Sequence, residues 1–485
     1  MGYSQKKITR IVFALISLSL LIIMLNKPSN LYGDGAEYYL MIESFSNHMS
    51  PDLRIEDTKS FGKITTRQVD ELGNVVGETK KFLDPNVVQG YFRDKDGALY
   101  SYHFWAYSLL CAPMRILLGF LHMNWTASMQ FTNTLLFIVA LAAVTFVAKL
   151  SEQQKTLLLA LMTLSPALWF IHWTHPEIYS FAFVTLALVF LSVERYPLSV
   201  LFAAVASLQN QPLIIFVLYL TAKALTKPKM KATERLQVML MASVALIPNI
   251  FYWVHYSRLS LLENSLALGN LSIYRILGEF TDLNIGLLPY IPIPLILYIW
   301  AVAADIQKKG ISGFSSQAFI VVLLMVSVTS MASNLNSGTS GPTRYNIWLL
   351  PIIFWVIAAD LKAMLKDKYL KGALAAAIVT QLLIMGYFGL FPGDNSVDLS
   401  YAAKLALDNV PWLYNPPPEI FCERVLQKEV ACPDPLVYGP NKRCVKAILT
   451  CGGLEKLRRI CGAVPDDVVH RCDLTNSSDW FYVNY

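Results

Sequence analysis

The chain has 485 residues, 55% hydrophobic and only 15% charged, with a formal charge of +6. Soluble domains carry about 25% charged residues, so too few polar side chains remain to cover a globular surface. That excludes a soluble globular protein, and no nucleic-acid partner is expected. Runs of roughly 17–23 apolar residues are each long enough to cross a bilayer core of about 30 Å as a helix.

The first run, about residues 11–25, follows the basic stretch MGYSQKKITR. No small-x-small cleavage site follows in IIMLNKPSN, so it reads as a retained membrane helix with a cytoplasmic N-terminus rather than a cleaved signal. A long outer loop, about 26–126, comes next. It opens on LYGDGAEYYLMIESF, where Asp34 and Glu37 stand beside two tyrosines directly after a membrane helix. In the middle, KITTRQVDELGNVVGETKKF alternates apolar and polar residues around a Gly-Asn turn, the pattern of a β-hairpin. FRDKDGALYSYHF reads as a second, shorter one. Residues 103–123, HFWAYSLLCAPMRILLGFLHM, carry Pro113 and Arg115 and read as an amphipathic or partly inserted helix on the outer surface.

Ten further spans are expected near 127–149, 156–173, 177–193, 197–209, 211–224, 236–256, 285–303, 315–332, 344–360 and 372–391. The pair at 197–224 is short and broken by QNQP, which suggests two half-length helices or a re-entrant turn. With about eleven spans, the loops that fall inside hold 17 Lys and Arg against six acids, as the positive-inside rule requires. Counting 103–123 as a span would move every later basic loop outside.

The tail, 394–485, holds six of the seven cysteines: Cys422, Cys432, Cys444, Cys451, Cys461 and Cys472. None of the spacings is CxxC, so a zinc site is not expected. Up to three disulfides are, among 15 possible pairings. Disulfides need an oxidising compartment, and the charge distribution independently puts the tail outside. The expected fold is an all-α polytopic membrane domain over 1–393, with a small disulfide-rich extracytoplasmic domain over 394–485.

Ionisable residues at membrane depth are costly and usually functional. Those at the predicted span ends are Asp34 and Glu37, His103, His175 and Glu177 in HWTHPEIYSF, the amides of QNQP, Asp282 and Asn284 in FTDLNIGLLPY, and Arg344 and Tyr345 in SGTSGPTRYNIWLLP. All fall on the outer side, whereas the cytoplasmic ends show ordinary lysine and arginine. Each has a plain structural alternative: Asp34 as a helix cap, His175-Pro176-Glu177 as a helix start, Arg344 as a snorkelling anchor. Together they make another chemistry available. A carboxylate can take a proton from an acceptor hydroxyl, and an arginine can hold a phosphate. That is the inventory for moving a group from a lipid phosphate to an alcohol or amine.

On these motifs the chain resembles the GT-C class of membrane glycosyltransferases, which includes protein O-mannosyltransferases and the aminoarabinose transferase of lipid A. The likeness rests on GDGAEYY after the first helix, LYSYHFWAYSLLCAP closing the first loop, THPEIYSF at the third outer turn and the late GPTRYNIWLLP, and covers about residues 1–390. It implies a glycosyltransferase that takes a sugar from a polyprenyl-phosphate donor, with inversion, on the extracytoplasmic side. Asp34 would be the catalytic base, Arg344 would contact the donor phosphate, and His103 and Tyr345 would lie near phosphate or sugar. Glu37, His175, Glu177, Asp282 and Asn284 would line the cavity. No lysine stands in the first-loop motif, where aminoarabinose-type enzymes carry one, so lipid A is not carried over as acceptor.

Asp34, Glu37 and His103 offer donors for a divalent metal, but no dedicated ligand cluster is visible, and no metal or other cofactor is assigned. The expected partners are the donor lipid, a glycan, lipid or protein acceptor, and membrane lipids. The expected location is a bacterial inner membrane with site and tail in the periplasm. Two other classes compete: a multi-spanning transporter or flippase, which would show paired broken helices and midplane charges, and another lipid-linked transferase, which would favour a Ser or Thr nucleophile or a metal cluster.

Overall fold

The computed structural model describes residues 2–27, 31, 33–62, 90–262, 266–336, 338, 341–389, 396–439, 443–462, 464–475 and 480–485. The hairpin expected over 63–82 lies outside them. The chain is mostly helical and divides into two compact units. One comprises Met1–Leu266, Ile293–Val328 and Ile347–Phe391; the other comprises Ala267–Pro292, Thr329–Asn346 and Pro392–Tyr485. The unit built on the tail thus takes in two segments that the sequence suggests belong to the membrane domain.

In the first unit, helix α1 (Gly2–Asn26) leaves Leu15, Leu18, Ile22 and Leu25 exposed, as a lipid-facing helix does. Helix α2 (Gly35–His48) is buried without interruption from Gly35 to Phe45. It packs in a cluster with Phe61, Tyr91, Tyr107, Cys111, Tyr179 and Tyr252. Strands β1 (Tyr91–Arg93) and β2 (Leu99–Ser101) pair antiparallel, the short hairpin expected from FRDKDGALYSYHF. Helix α3 (Ala106–Phe120) contains Pro113 and is two-faced. Tyr107, Cys111, Ala112 and Leu118 are buried, while Leu110, Ile116, Leu117 and Phe120 are exposed. Arg115 points inward: its Nε and Nη2 donate to the Glu43 carboxylate at 2.6 and 3.0 Å, with the guanidinium 4.4 Å from the Trp125 ring centre.

Among the described residues four helices are long and apolar enough to cross a bilayer: Ser4–Asn26, Trp125–Phe146, Ala232–Tyr256 and Lys368–Phe388. A fifth counts if Pro292–Ser312 and Phe314–Thr329, bent by 96°, form one broken span. The other apolar runs form shorter helices, among them α4 (Glu177–Ser192), Tyr196–Gln209, Gln211–Leu225 and Arg344–Ala359. A helix of 16 residues rises about 24 Å, less than the hydrocarbon thickness of about 30 Å. Hydropathy counts apolar residues but not breaks. The helix Glu152–Thr163 stops before Ser165-Pro166, and QNQP separates two short helices, as the sequence suggests. The span expected to start at 285 begins only at Pro292, because the residues before it form turns, with Gly286 N–H donating to the Asp282 carbonyl at 2.9 Å. At the 96° bend, a Cβ on Gly313 would lie 2.0 Å from the Asp305 carboxylate, which accepts from the Ser316 N–H at 3.1 Å.

The second unit holds helix α5 (Ile273–Thr281) and helix α6 (Pro418–Leu426). Its antiparallel sheet has the order β3–β4–β5, with β3 Leu436–Tyr438, β4 Lys446–Leu449 and β5 Phe481–Asn484. All six tail cysteines pair, as Cys422–Cys432, Cys444–Cys461 and Cys451–Cys472. The seventh, Cys111, is free and buried in α3. Lys446, buried in the central strand, donates to Pro411 O, Asn415 Oδ1 and Asn484 Oδ1 at 2.6–2.8 Å. A buried ammonium is tolerated because all three of its donors are used.

Candidate functional site

The GDG triplet lets two chain segments approach each other. Gly33 has φ +47°, and a Cβ there would lie 3.5 Å from His175 Nε2. A Cβ on Gly35 would lie 2.2 Å from Thr174 Oγ1, so any side chain would push the Thr174-His175 segment off the start of α2. Between the glycines, Asp34 is the N-terminal flank of α2. Its backbone carbonyl accepts from the N–H of Glu37 and Tyr38 at 3.0 and 3.2 Å, but its side chain makes no capping bond. The carboxylate, 30% exposed, instead stands 3.5 Å from His103 Nε2.

Glu37, one turn into α2, is buried, and its Oε2 lies 3.8 Å from the same nitrogen. Gly90, at φ +81°, makes room for it: a Cβ there would fall 2.3–2.5 Å from the Glu37 carboxyl atoms. The next residue, Tyr91, donates its hydroxyl to the Glu37 carbonyl at 2.9 Å. His103 lies two residues past the end of β2, and its backbone N–H donates to Ser101 Oγ at 3.1 Å. The imidazole lies between rings, stacked on Tyr38 at 4.8 Å and against Tyr102 at 4.0 Å. Tyr38 also meets the His175 ring edge-on at 5.7 Å, and His175 stacks on Trp173 at 5.1 Å. The Tyr38 hydroxyl accepts from Gln209 Nε2 at 3.4 Å. Glu177 is buried in the first turn of α4. Tyr107 is edge-on to Tyr38 at 5.7 Å.

Asp34 and Glu37 therefore meet at His103, and His103 and His175 both contact Tyr38. Two carboxylates share one imidazole, and one of them reaches solvent. A residue of that kind can accept a proton while its neighbours hold the charge balance. Among the described residues no group of three or more His, Cys, Asp or Glu is arranged to hold a metal ion.

No family model, curated protein or solved structure matches the chain. The functional reading stands on the residues themselves.

The other four expected site residues belong to the second unit. Asp282 and Asn284 are buried and engaged with the tail. Asp282 Oδ1 accepts from the N–H of Asn284 and Ile285 at 2.7 and 2.9 Å, and its Oδ2 accepts from the Tyr414 hydroxyl at 2.9 Å. Asn284 Nδ2 donates to that hydroxyl at 2.8 Å, and its Oδ1 accepts from Ser400 N–H at 2.9 Å. Arg344 and Tyr345 are half-buried at the start of a short helix, with the guanidinium 5.8 Å from the Tyr345 ring centre. The turn is fixed on both flanks. Thr343 N–H donates to the Ile285 carbonyl at 2.8 Å, and Asn346 Nδ2 to the Glu279 carbonyl at 2.7 Å.

Tyr38, Trp173 and the three glycines are the participants that residue-type reasoning passes over. Chemistry points to acids and bases, whereas these shape the space. The signal available was local: Tyr38 inside GDGAEYY, and Trp173 two residues before His175.

Proposed function

We propose that the protein is an extracytoplasmic glycosyltransferase that moves a sugar from a polyprenyl-phosphate donor to a hydroxyl or amine acceptor, with Asp34 as general base. The observation that carries this reading is the side chain of Asp34. It follows a membrane-length helix, makes no side-chain capping bond, and faces His103, which Glu37 also approaches, while remaining open to solvent. In the proposed step Asp34 takes the acceptor proton as the acceptor oxygen or nitrogen bonds to the anomeric carbon. The bond from that carbon to the phosphate oxygen breaks, polyprenyl phosphate leaves with the electron pair, and configuration inverts. His103, held in its ring sandwich, supports the charge near the carboxylates. Arg344 holds the donor phosphate, and Tyr345 lies beside it. The remaining architecture of the proposal is eleven crossings, some of them by short helices, with the site and tail in the periplasm of a bacterial inner membrane.

The test is transfer in proteoliposomes supplied with polyprenyl-phosphate sugars, together with mass spectrometry of co-purified lipid. Asp34→Asn, which keeps the size of the side chain and removes its basicity, is expected to lose transfer by at least 100-fold in a protein that still folds, as a thermal melt checks. Full transfer by that variant would remove Asp34 from the role. Wild type is expected to retain a polyprenyl phosphate that Arg344→Ala loses; equal retention would remove Arg344.

A further inference from the structure

Helix α5 is built inside out. Ile273, Tyr274 and Leu277 are 60%, 70% and 49% exposed, whereas Glu279 is 0% exposed and Arg275 is nearly covered. A helix on a water-soluble surface turns its apolar stripe inward; the reverse is favourable only where the surroundings are apolar. The buried polar groups are occupied from within their own unit. Arg275 Nε donates to Ser330 O at 2.8 Å, Nη1 to Glu419 at 3.0 Å, and Nη2 to Ala332 O. Thr329 Oγ1 donates to Glu279 at 2.7 Å. The apolar exposure extends into the preceding turn at Leu268 and Leu271.

The chain places this helix between two apolar helices, one ending at Tyr256 and one beginning at Pro292. The residues after α5 fold back on it: Leu287 N–H donates to Glu279 O at 3.1 Å and Leu288 N–H to Phe280 O at 2.8 Å. Pro292 follows four residues later, at most about 14 Å of chain. An amphipathic helix tethered this closely, with a tyrosine among its exposed residues, has the composition of one lying in the headgroup region.

We infer that α5 lies in the membrane interface with Ile273, Tyr274 and Leu277 turned to lipid, and that the bonds from Asn346 to α5 and from Thr343 to the turn after it set the depth of the Arg344 turn. The second half rests on Arg344 as a lipid-phosphate ligand. The tail then acts as a positioning element. Tyr414 and Ser400 lock the 282–284 turn that continues α5, so the disulfide-bonded tail holds that arginine at phosphate level.

The test uses the full chain in phosphatidylglycerol nanodiscs. Six cysteines are disulfide-bonded and Cys111 is buried, so Tyr274→Cys or Leu277→Cys adds the one reactive thiol for a fluorophore. Arg459→Cys, on an exposed tail position, is the water-facing control. Labels at 274 and 277 are expected to be quenched by doxyl lipids and shielded from iodide at least threefold relative to 459. Iodide quenching equal to the control would overturn the inference. So would protection from both quenchers, which would mean that a second copy or another protein covers the face. For the depth claim, Leu277→Glu is expected to weaken polyprenyl-phosphate binding about tenfold with the disulfides intact; unchanged binding would remove that claim. If Arg344→Ala binds normally while the labels report lipid, the donor assignment falls and the interfacial helix stands.

Discussion

At the scale of single residues, the first-loop cluster is shaped as much by missing side chains as by reactive ones. Gly90 sits at φ +81° with the Glu37 carboxyl occupying the space a Cβ would need. Gly90→Ala is therefore expected to lower stability by about 1–2 kcal/mol from backbone strain. It should also reduce transfer by more than that loss explains, because the carboxyl must move away from His103. A thermal melt and an initial-rate assay on the same preparation separate the two effects; a stability loss with full activity would show that the position of Glu37 is immaterial. The reactive residues were legible from the sequence as acids and imidazoles beside a membrane helix. Their convergence was not, because Asp34, His103 and His175 are separated by a hairpin and several helices. Both imidazoles contact Tyr38, an aromatic indistinguishable in sequence from an ordinary interfacial tyrosine.

At the scale of elements, α5 carries a titratable group whose behaviour follows from burial. Desolvation pushes Glu279 up to about 8 from an ordinary 4.5, against the lowering effects of Thr329 and Arg275. The folded protein then keeps a proton that the unfolded chain releases. The resulting stability is fully present below about pH 4.5 and is lost as pH rises towards 8, with a limiting slope of about 1.4 kcal/mol per unit. Glu423, pushed up to about 7 by burial and by Glu419 and Glu429, acts in the same direction. The informative quantity is therefore the difference between wild type and Glu279→Gln, whose melting temperature should fall less steeply from pH 5 to 8. Identical slopes would mean that Glu279 is ionised in the fold. Nothing in the residues 273–281 announces this. Ile, Tyr, Leu and Phe around an Arg and a Glu read as an ordinary surface helix, and only the packing shows which side is inside.

At the scale of the whole molecule, the tail is a disulfide-bonded part of a unit that also takes in two segments from earlier in the chain. Under denaturing conditions without reductant, an alkylating reagent is expected to modify Cys111 alone. After reduction it should modify all seven cysteines. Labelling of the tail cysteines before reduction would overturn the three pairings. The sequence by itself determined that the chain is helical and suited to a membrane, that its tail forms disulfides, and that its chemistry-bearing residues stand at the ends of apolar runs. Those properties follow from composition and local spacing. Only the tertiary structure decided which apolar runs form one long helix and which are broken into shorter ones, because prolines, glycines and buried carboxylates break helices that hydropathy joins. It also decided that Asp282 and Asn284 are hydrogen-bonded to Tyr414, and that Asp34 turns from its own helix end to His103. Each of these depends on partners far away in the chain, and no local pattern records them.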